Sequence, residues 1–338
     1  MADALPIVND AATWAARAQG ARSGDEGFFS FYSSVVGAVT TNVALMAVPI
    51  DDHAIVRGHA VFDTCSLAGG RMYRLQVHLD RLLASAASAR LPLPFGADEA
   101  TNRQKMIEVV RATCAASGRQ NANVRFWLTA GTGNLGVTPG GCTAQFYVLT
   151  FGGMPMPASW SEDGIPEVTV PDTVVPLKPP HLAELKSNNY MLNALLCMAA
   201  KDRGGTFGIG VESSSGLLLE SCVLNVVVVG EDRSLRTPPF RRVLKGTTVR
   251  RAMELAKRHL LAPHGELLSR VAQEPITAEE ARGATEVFLL AGDTHVYPII
   301  SLDGVTIGEG KPGPVCMALK RLLEEDAMHG DEAHEPVS

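Results

Sequence analysis

The 338-residue chain has no long apolar run. Its longest apolar stretches, such as residues 223–229, fall far short of the ~18 residues a bilayer-spanning helix needs. A helical membrane protein is excluded. Cysteines number only six, and Cys65, Cys114, Cys142, Cys197, Cys222 and Cys316 are scattered singly. No two have a CxxC or metal-ligand spacing, so no metal site is expected and the thiols read as reduced, in a reducing compartment. Excess positive charge is missing too: the formal net charge is -6. That gives no electrostatic reason to expect nucleic acid or an anionic membrane as a partner. The N-terminus lacks a signal-peptide core. Residues 11–22 are rich in Ala and Arg, but Asp3, Asp10, Asp25 and Glu26 weaken a transit-peptide reading, so an extra surface helix is the expectation. The cytoplasm is the expected location, with plastid or mitochondrion as alternatives. There is no internal repeat and no low-complexity tract.

What is present is ordinary globular composition, 46% hydrophobic and 20% charged, enough for sizeable cores and about two domains. Residues 32–50 alternate and carry Val and Thr, which predicts strands. A helix is expected from about Val77, with Leu79, Leu82, Leu83 and Ala86 on one face, and a second over 98–117. "NVRFWLTAG" and "AQFYVLTF" read as two strands split by a Gly/Pro loop at 131–141. The Gly-, Pro- and Ser-rich stretch 151–166 is the best linker in the chain. Strands near 167–177 and a helix over 189–203 follow. Then come a hairpin-rich section over 206–237, helices over 247–260 and 277–283, a strand at 286–291 and a closing helix over 314–325. Strands and helices fall in blocks rather than strict alternation, so the fold class is α+β.

Four pieces could carry chemistry. In "LKGTTVRRAMELA", Gly246, Thr247 and Thr248 directly precede a helical pattern. Free N–H groups at a helix start, with two hydroxyls, suit a phosphate, although a simple capping Thr has the same look. In "LKSNNYMLNAL", Lys186 lies just before a helix, where a desolvated amine is a nucleophile; most lysines are solvated surface groups. Glu220 precedes a very apolar strand, either exposed at its end or buried with a partner such as a pyridinium nitrogen. Arg81 sits on the polar side of an amphipathic helix, facing water or holding a phosphate bidentately. Together they supply an amine, a carboxylate and a phosphate cradle. The basic run Arg241, Arg242, Lys245, Arg250 and Arg251 fits a solvated face, partly near the phosphate, better than a nucleic-acid surface, given the acidic whole.

In this order and spacing, the chain resembles the fold-type IV pyridoxal-phosphate (PLP) enzymes, the class-IV aminotransferases, and is most similar to their plant-type D-amino-acid branch. The resemblance covers about residues 33–325: "SSVVGAV", "IDDHAIVRGHAVFDT", "HLDRL", "RFWLTAG", "LKPPHLAELKSNNY", the "LLLE" that ends at Glu220 with Asn225 five residues on, "LKGTTVRRAMELA" and "GEGKPGPV". It implies two α/β domains with the cofactor at their interface. Residues 1–30 would be an N-terminal extension, 31–152 the smaller domain, 153–166 the linker and 167–338 the larger, PLP-binding domain.

By position, the resemblance makes Lys186 the Schiff-base lysine and proton shuttle, and Glu220 the partner of the pyridine nitrogen. Arg81, Thr247 and Thr248 would bind phosphate, Asn225 would order that wall, and Tyr190 and Asn189 fall on aromatic or amide positions after the lysine. Arg57 falls where branched-chain enzymes place a pocket tyrosine. Arg125 lies on a strand from which substrate-carboxylate contacts are drawn, and His59 and Phe62 of the same motif region are further substrate candidates. His53 and His59 flank Arg57 and could equally pack or orient.

Three departures stand out. Cys222, Val223 and Leu224 are bulkier than the small residues expected after the glutamate. Asp293 stands where a phosphate-side hydroxyl belongs, so Thr294 would take that contact or Asp293 would point away. Tyr190 is one residue nearer the lysine than in branched-chain enzymes, which favours the D-amino-acid branch. The implied activity is transamination between an amino acid, of the D-alanine or D-glutamate type, and a 2-oxo acid, in a homodimer. Elimination of pyruvate by an aminodeoxychorismate lyase, L-branched-chain transamination and non-catalytic PLP binding are the alternatives.

Overall fold

The computed structural model describes residues 5–22, 27–153, 156–263, 266–292, 294–330 and 334–337. It divides into two compact units. One comprises the described residues of 1–73, 90–154 and 335–338; the other comprises those of 74–89 and 155–334. The second unit therefore includes the helix Leu75–Ser88, which in sequence interrupts the first.

The first unit is built on an antiparallel sheet. Its strands run in the order His334–Pro336, Arg71–Tyr73, Ala60–Ala68, Ala122–Thr132, Thr143–Phe151, Phe28–Ser33, Ala38–Thr40. Val61, Cys65, Val124, Phe126, Leu128, Phe146 and Val148 are buried on it. The helix Glu99–Ser117 covers the sheet; Asp98 caps it by accepting the Thr101 N–H at 2.7 Å, the usual use of Asp at a helix start. The sequence reading of strands through 32–50 is only partly met. Strand structure ends at Ser33 and resumes for Ala38–Thr40; Val43–Leu45 is a short 3-10 turn. Val36 and Ile50, which look like strand residues by type, are strongly exposed.

A short helix, His53–Val56, is set by one carboxylate. Asp52 Oδ1 accepts the Ala54 N–H at 2.8 Å, while its Oδ2 accepts from Thr129 Oγ1 at 2.9 Å and the Tyr147 hydroxyl at 2.7 Å. Burial and this carboxylate push the Tyr147 phenol well above its usual pKa. Asp52 is fully buried, so its three donors offset the cost of desolvating it.

The second unit is a sandwich. A three-stranded sheet (Leu217–Ser221, Ile209–Glu212, Thr169–Pro171) faces a larger one, ordered Arg270–Gln273, Ser234–Thr237, Asn225–Val229, Glu286–Leu290, Val296–Leu302, Val305–Thr306. After Asn225 the strand Asn225–Val229 is wholly valine, because both of its faces are buried. Val226 and Val228 pack with Ile209, Leu218 and Ile299 in one core. Val227 and Val229 pack on the other side with Val249, Ala252, Leu319 and Leu323. Those last residues come from the helices Thr247–His259 and Pro314–His329, which lie against that face. The helix Ala278–Arg282 begins with a capping box, Thr277 and Glu280 each bonding the other's backbone N–H.

Candidate active site

The cofactor residues singled out by the PLP resemblance lie in the second unit, and one turn, 244–246, joins Glu220, Asn225, Arg81 and the Thr247–Thr248 helix start. Glu220 is the last residue but one of the strand Leu217–Ser221 and accepts the Leu244 N–H at 2.9 Å. Asn225 begins the next strand and donates from Nδ2 to the Leu244 carbonyl at 3.0 Å. One residue is thus gripped at both poles of its backbone, and the chain leaving it enters the helix Thr247–His259. Gly246 precedes that helix, and no side chain caps its start. A Cβ on Gly246 would lie 1.9 Å from Asn225 Oδ1, so only glycine lets the turn pack this closely. Thr247 and Thr248 are buried at the helix start. Arg81, on the helix Leu75–Ser88, reaches the same turn, its Nη1 donating to the Lys245 carbonyl at 3.4 Å.

Ser85, one turn further along that helix, is buried and accepts the Lys186 N–H at 3.4 Å. Arg81 and Lys186 are therefore both registered by one helix. Lys186 sits between the buried residues Leu185 and Ser187, and its amine acts electrostatically on Glu220. Tyr190 stands at the head of the helix Met191–Lys201, with the amine of Lys178 5.0 Å from its ring centroid. Desolvation raises the Glu220 carboxyl to about 7; the Leu244 N–H, Lys178 and then Lys186 act in the opposite direction. A carboxyl poised there can hold or release a proton near neutral pH.

These residues fit a phosphorylated pyridine cofactor. The uncapped helix start, its two buried hydroxyls and Arg81 form an anion site. The Gly246 cradle is closed to any larger residue. Glu220 offers a carboxylate and Lys186 an amine. The substitutions beside Glu220 leave Cys222 and Leu224 buried and Val223 54% exposed, so Val223 is the bulky group this wall presents. Asp293 lies outside the described residues. Much of the basic run is tied down: Arg242 pairs with Glu212 at 2.6 Å, Lys245 with Glu184 at 3.1 Å, and Arg251 with Asp326 and Glu254.

The substrate candidates lie in the first unit. Arg125 pairs across the sheet with Thr64, donates from Nε to Thr64 Oγ1 at 2.9 Å, and lies over Phe62 at 5.2 Å and Phe151 at 5.3 Å. Arg57 follows the helix His53–Val56 and donates to the carbonyls of Val56 at 2.7 Å, Gly136 at 3.0 Å and Leu135 at 2.5 Å. The two arginines are not together. Arg57 lies before Ala60 and Arg125 opposite Thr64, so at ~3.3 Å per residue roughly 13 Å or more of strand separates them. His59 donates its N–H to the His53 carbonyl at 3.0 Å, with the rings 6.5 Å apart. His53 is fully buried, and neither ring nitrogen has a hydrogen-bond partner among the described residues.

Two residues escaped the sequence reading. Asp52 sets the turn that presents Arg57, and Lys178 faces Glu220. Asp52 leaves only the local mark of a helix-capping Asp, and its partners Thr129 and Tyr147 are distant in sequence, as Glu220 is from Lys178. Among the described residues, no cluster of His, Cys, Asp and Glu suits a metal ion, and no helix is long and apolar enough to cross a membrane.

With this geometry in hand, the comparisons with known proteins are specific. Residues 60–302 match the family model "Amino-transferase class IV". The chain is 37% identical over 311 residues to a D-amino-acid transaminase, chloroplastic, of Arabidopsis thaliana, covering 92% of this chain and 79% of that protein. Among solved structures, the branched-chain amino acid aminotransferase of Escherichia coli superposes with a TM-score of 0.78 at 22% identity, covering 92% of this chain and 100% of that one. A hypothetical aminotransferase from Mycobacterium tuberculosis, in its PLP-bound form, gives a TM-score of 0.71 at 21% identity, covering 88% of this chain and 98% of that one.

Proposed function

The chain belongs to the class-IV aminotransferases, and from that premise we propose that it moves an amino group between a D-amino acid, of the D-alanine or D-glutamate kind, and a 2-oxo acid. Transamination with pyridoxal 5'-phosphate is the activity of the family. The D-amino-acid assignment is carried by the 37% identity to the Arabidopsis transaminase across 92% of the chain. The place of Tyr190, four residues after Lys186, supports it.

When bound, pyridoxal phosphate supplies an electron sink for the pair left as the substrate Cα loses its proton. The rest falls to this chain's residues. The Lys186 amine tethers the cofactor through its aldehyde carbon. The same amine, when not bonded to the cofactor, would be the base that takes the substrate Cα proton and returns it. Glu220 holds the ring nitrogen protonated. The N–H groups at the start of the Thr247–His259 helix, the Thr247 and Thr248 hydroxyls and Arg81 take the phosphate. Asn225 keeps the turn in place through Leu244. We assign the substrate carboxylate to Arg125, which lies over the rings of Phe62 and Phe151 and is oriented by Thr64. We also read the active species as a homodimer, to be tested by its mass in solution.

The deciding experiment is a donor screen with both enantiomers and chiral product analysis. D-alanine with 2-oxoglutarate should give pyruvate and D-glutamate. Turnover of L-leucine but not D-alanine would make it a branched-chain enzyme. Pyruvate release from aminodeoxychorismate without any transfer would make it a lyase, and a protein that binds no pyridoxal phosphate would end the reading.

A further inference from the structure

We propose that Lys178 is a positioning residue that acts through Glu220, keeping its carboxylate ionised so that the shared proton stays on the cofactor ring nitrogen. The inference rests on the reading of Glu220 given above. Lys178 lies eight residues before Lys186. Between them Pro179 and Pro180 start a short helix, Pro180–Ala183, as proline does readily at a first helical position. Both lysines bear on one carboxylate, that of Glu220. Lys178 and Glu220 line a common cleft, whose other walls are largely apolar: Val175, Leu177, Leu192 and Leu196. In such surroundings a cation's field on a neighbouring anion is weakly screened. The Tyr190 ring, 5.0 Å from the Lys178 amine, fixes where that cation sits.

The charged groups around Glu220 divide the work. Burial lowers the Lys178 pKa, and Glu220 acts to raise it. Burial raises Glu220, and of the two lysines opposing that rise Lys178 is the stronger. Arg242 lines the same cleft, but its guanidinium is spent on Glu212. Lys186 cannot be the permanent counter-charge, because its amine is the one that reacts. Among the described residues shown to act on Glu220, that leaves Lys178 as the cation that stays throughout. Glu220 and the ring nitrogen share one proton, on either the nitrogen or the carboxylate. A fixed cation beside the carboxylate favours the arrangement with carboxylate charged and nitrogen protonated, which is the one that stores electrons.

The test uses holoenzyme reconstituted with pyridoxal phosphate labelled with 15N at the ring nitrogen, whose NMR shift reports directly whether that atom carries a proton. Near neutral pH the nitrogen should be protonated in wild type and in Lys178→Arg. In Lys178→Met the ratio of the two proton placements should move toward the carboxylate by ~10-fold or more, the worth of about one pKa unit, and kcat should fall with it. Retention of cofactor by the arginine variant and its loss from the methionine variant would also support the proposal. A Lys178→Met nitrogen as protonated as in wild type overturns it, as does failure of both variants to bind cofactor, which would mark a packing role. If wild type itself binds no labelled cofactor, the reading of Glu220 fails instead.

Discussion

The two units arrange their polar groups differently, one gathering them and the other spreading them out. In the second, Glu220, Asn225, Arg81 and Lys186 converge on one turn and one helix, and the contacts that hold them are to backbone: the Leu244 N–H and carbonyl, the Lys245 carbonyl, the Lys186 N–H. In the first, Arg57 and Arg125 lie far apart along a strand, one satisfied by loop carbonyls and the other set against aromatic faces. The lesson is about what each must hold. A cofactor is one invariant shape, so its site repays locking by main chain, which cannot drift with side-chain substitution. A substrate pocket has to differ among relatives of one fold; on the reading proposed above, its two candidate arginines are spread over a loop and a strand face, one held by main-chain carbonyls and the other by side chains.

The comparison breaks most visibly at Lys186. Replacement by Ala removes both tether and base, and turnover should fall by at least ~10^4-fold in single-turnover assays. Residual activity within tenfold of wild type would mean that the convergence in the second unit is structural. Glu220→Gln should cost ~10^2- to 10^3-fold in kcat with a smaller change in cofactor affinity, because it removes charge and keeps shape.

Glu220 also gives the apoprotein a pH signature. Its carboxyl is raised to about 7 in the fold against ~4.3 in an unfolded chain. A raised acid contributes stability that is fully present below the unfolded value and lost as pH rises through the folded one. Between about pH 4 and pH 8, apo wild type should therefore lose on the order of 3 kcal/mol relative to Glu220→Gln in urea unfolding. A parallel pair of stability curves would place the carboxylate in water. Gly246→Ala tests the grip on the turn. The new methyl would meet Asn225 Oδ1 and Val249 Cγ1, so a loss of about 2 kcal/mol in stability and a weakened hold on phosphate are expected from overpacking. Unchanged cofactor affinity would show that the turn does not set the anion site.

How much of this was legible depended on range. The helices Glu99–Ser117 and Thr247–His259 were readable because Asp98 and the Gly-Thr-Thr start are local signals beside a 3.6-residue pattern. The strands Ala60–Ala68 and Val296–Leu302 were not. The first buries Asp63 among apolar residues, and the second carries Pro298 and is mostly buried on both faces, so neither alternates cleanly. Residues 34–37 and 46–50 gave the converse error: β-branched side chains raised a strand expectation where no strand forms. In the site, Lys186, Glu220, Asn225 and the helix start stand in an ordered motif series and could be found. Asp52 acts on Thr129 and Tyr147, 77 and 95 residues away, and Lys178 acts on Glu220. A sequence carries no mark of such pairings until the strands are in register.

The finest test of the comparison sets the two arginines against each other. Arg125 lies over two aromatic rings and donates a hydrogen bond to Thr64. A lysine there keeps the charge but loses the planar, bidentate match to a carboxylate. Arg125→Lys should therefore raise KM for the amino acid roughly tenfold with little change in unfolding midpoint. Arg57→Lys forfeits carbonyl contacts to Leu135 and Gly136, each worth about 1 kcal/mol net. Its effect should fall on stability, by about 1–2 kcal/mol, with KM moving less than for Arg125. The opposite pattern, KM following Arg57 and stability following Arg125, would exchange their roles. It would make the loop at 131–141 the selective part of the substrate pocket, because Arg57 would have to give up that loop's carbonyls to receive a carboxylate.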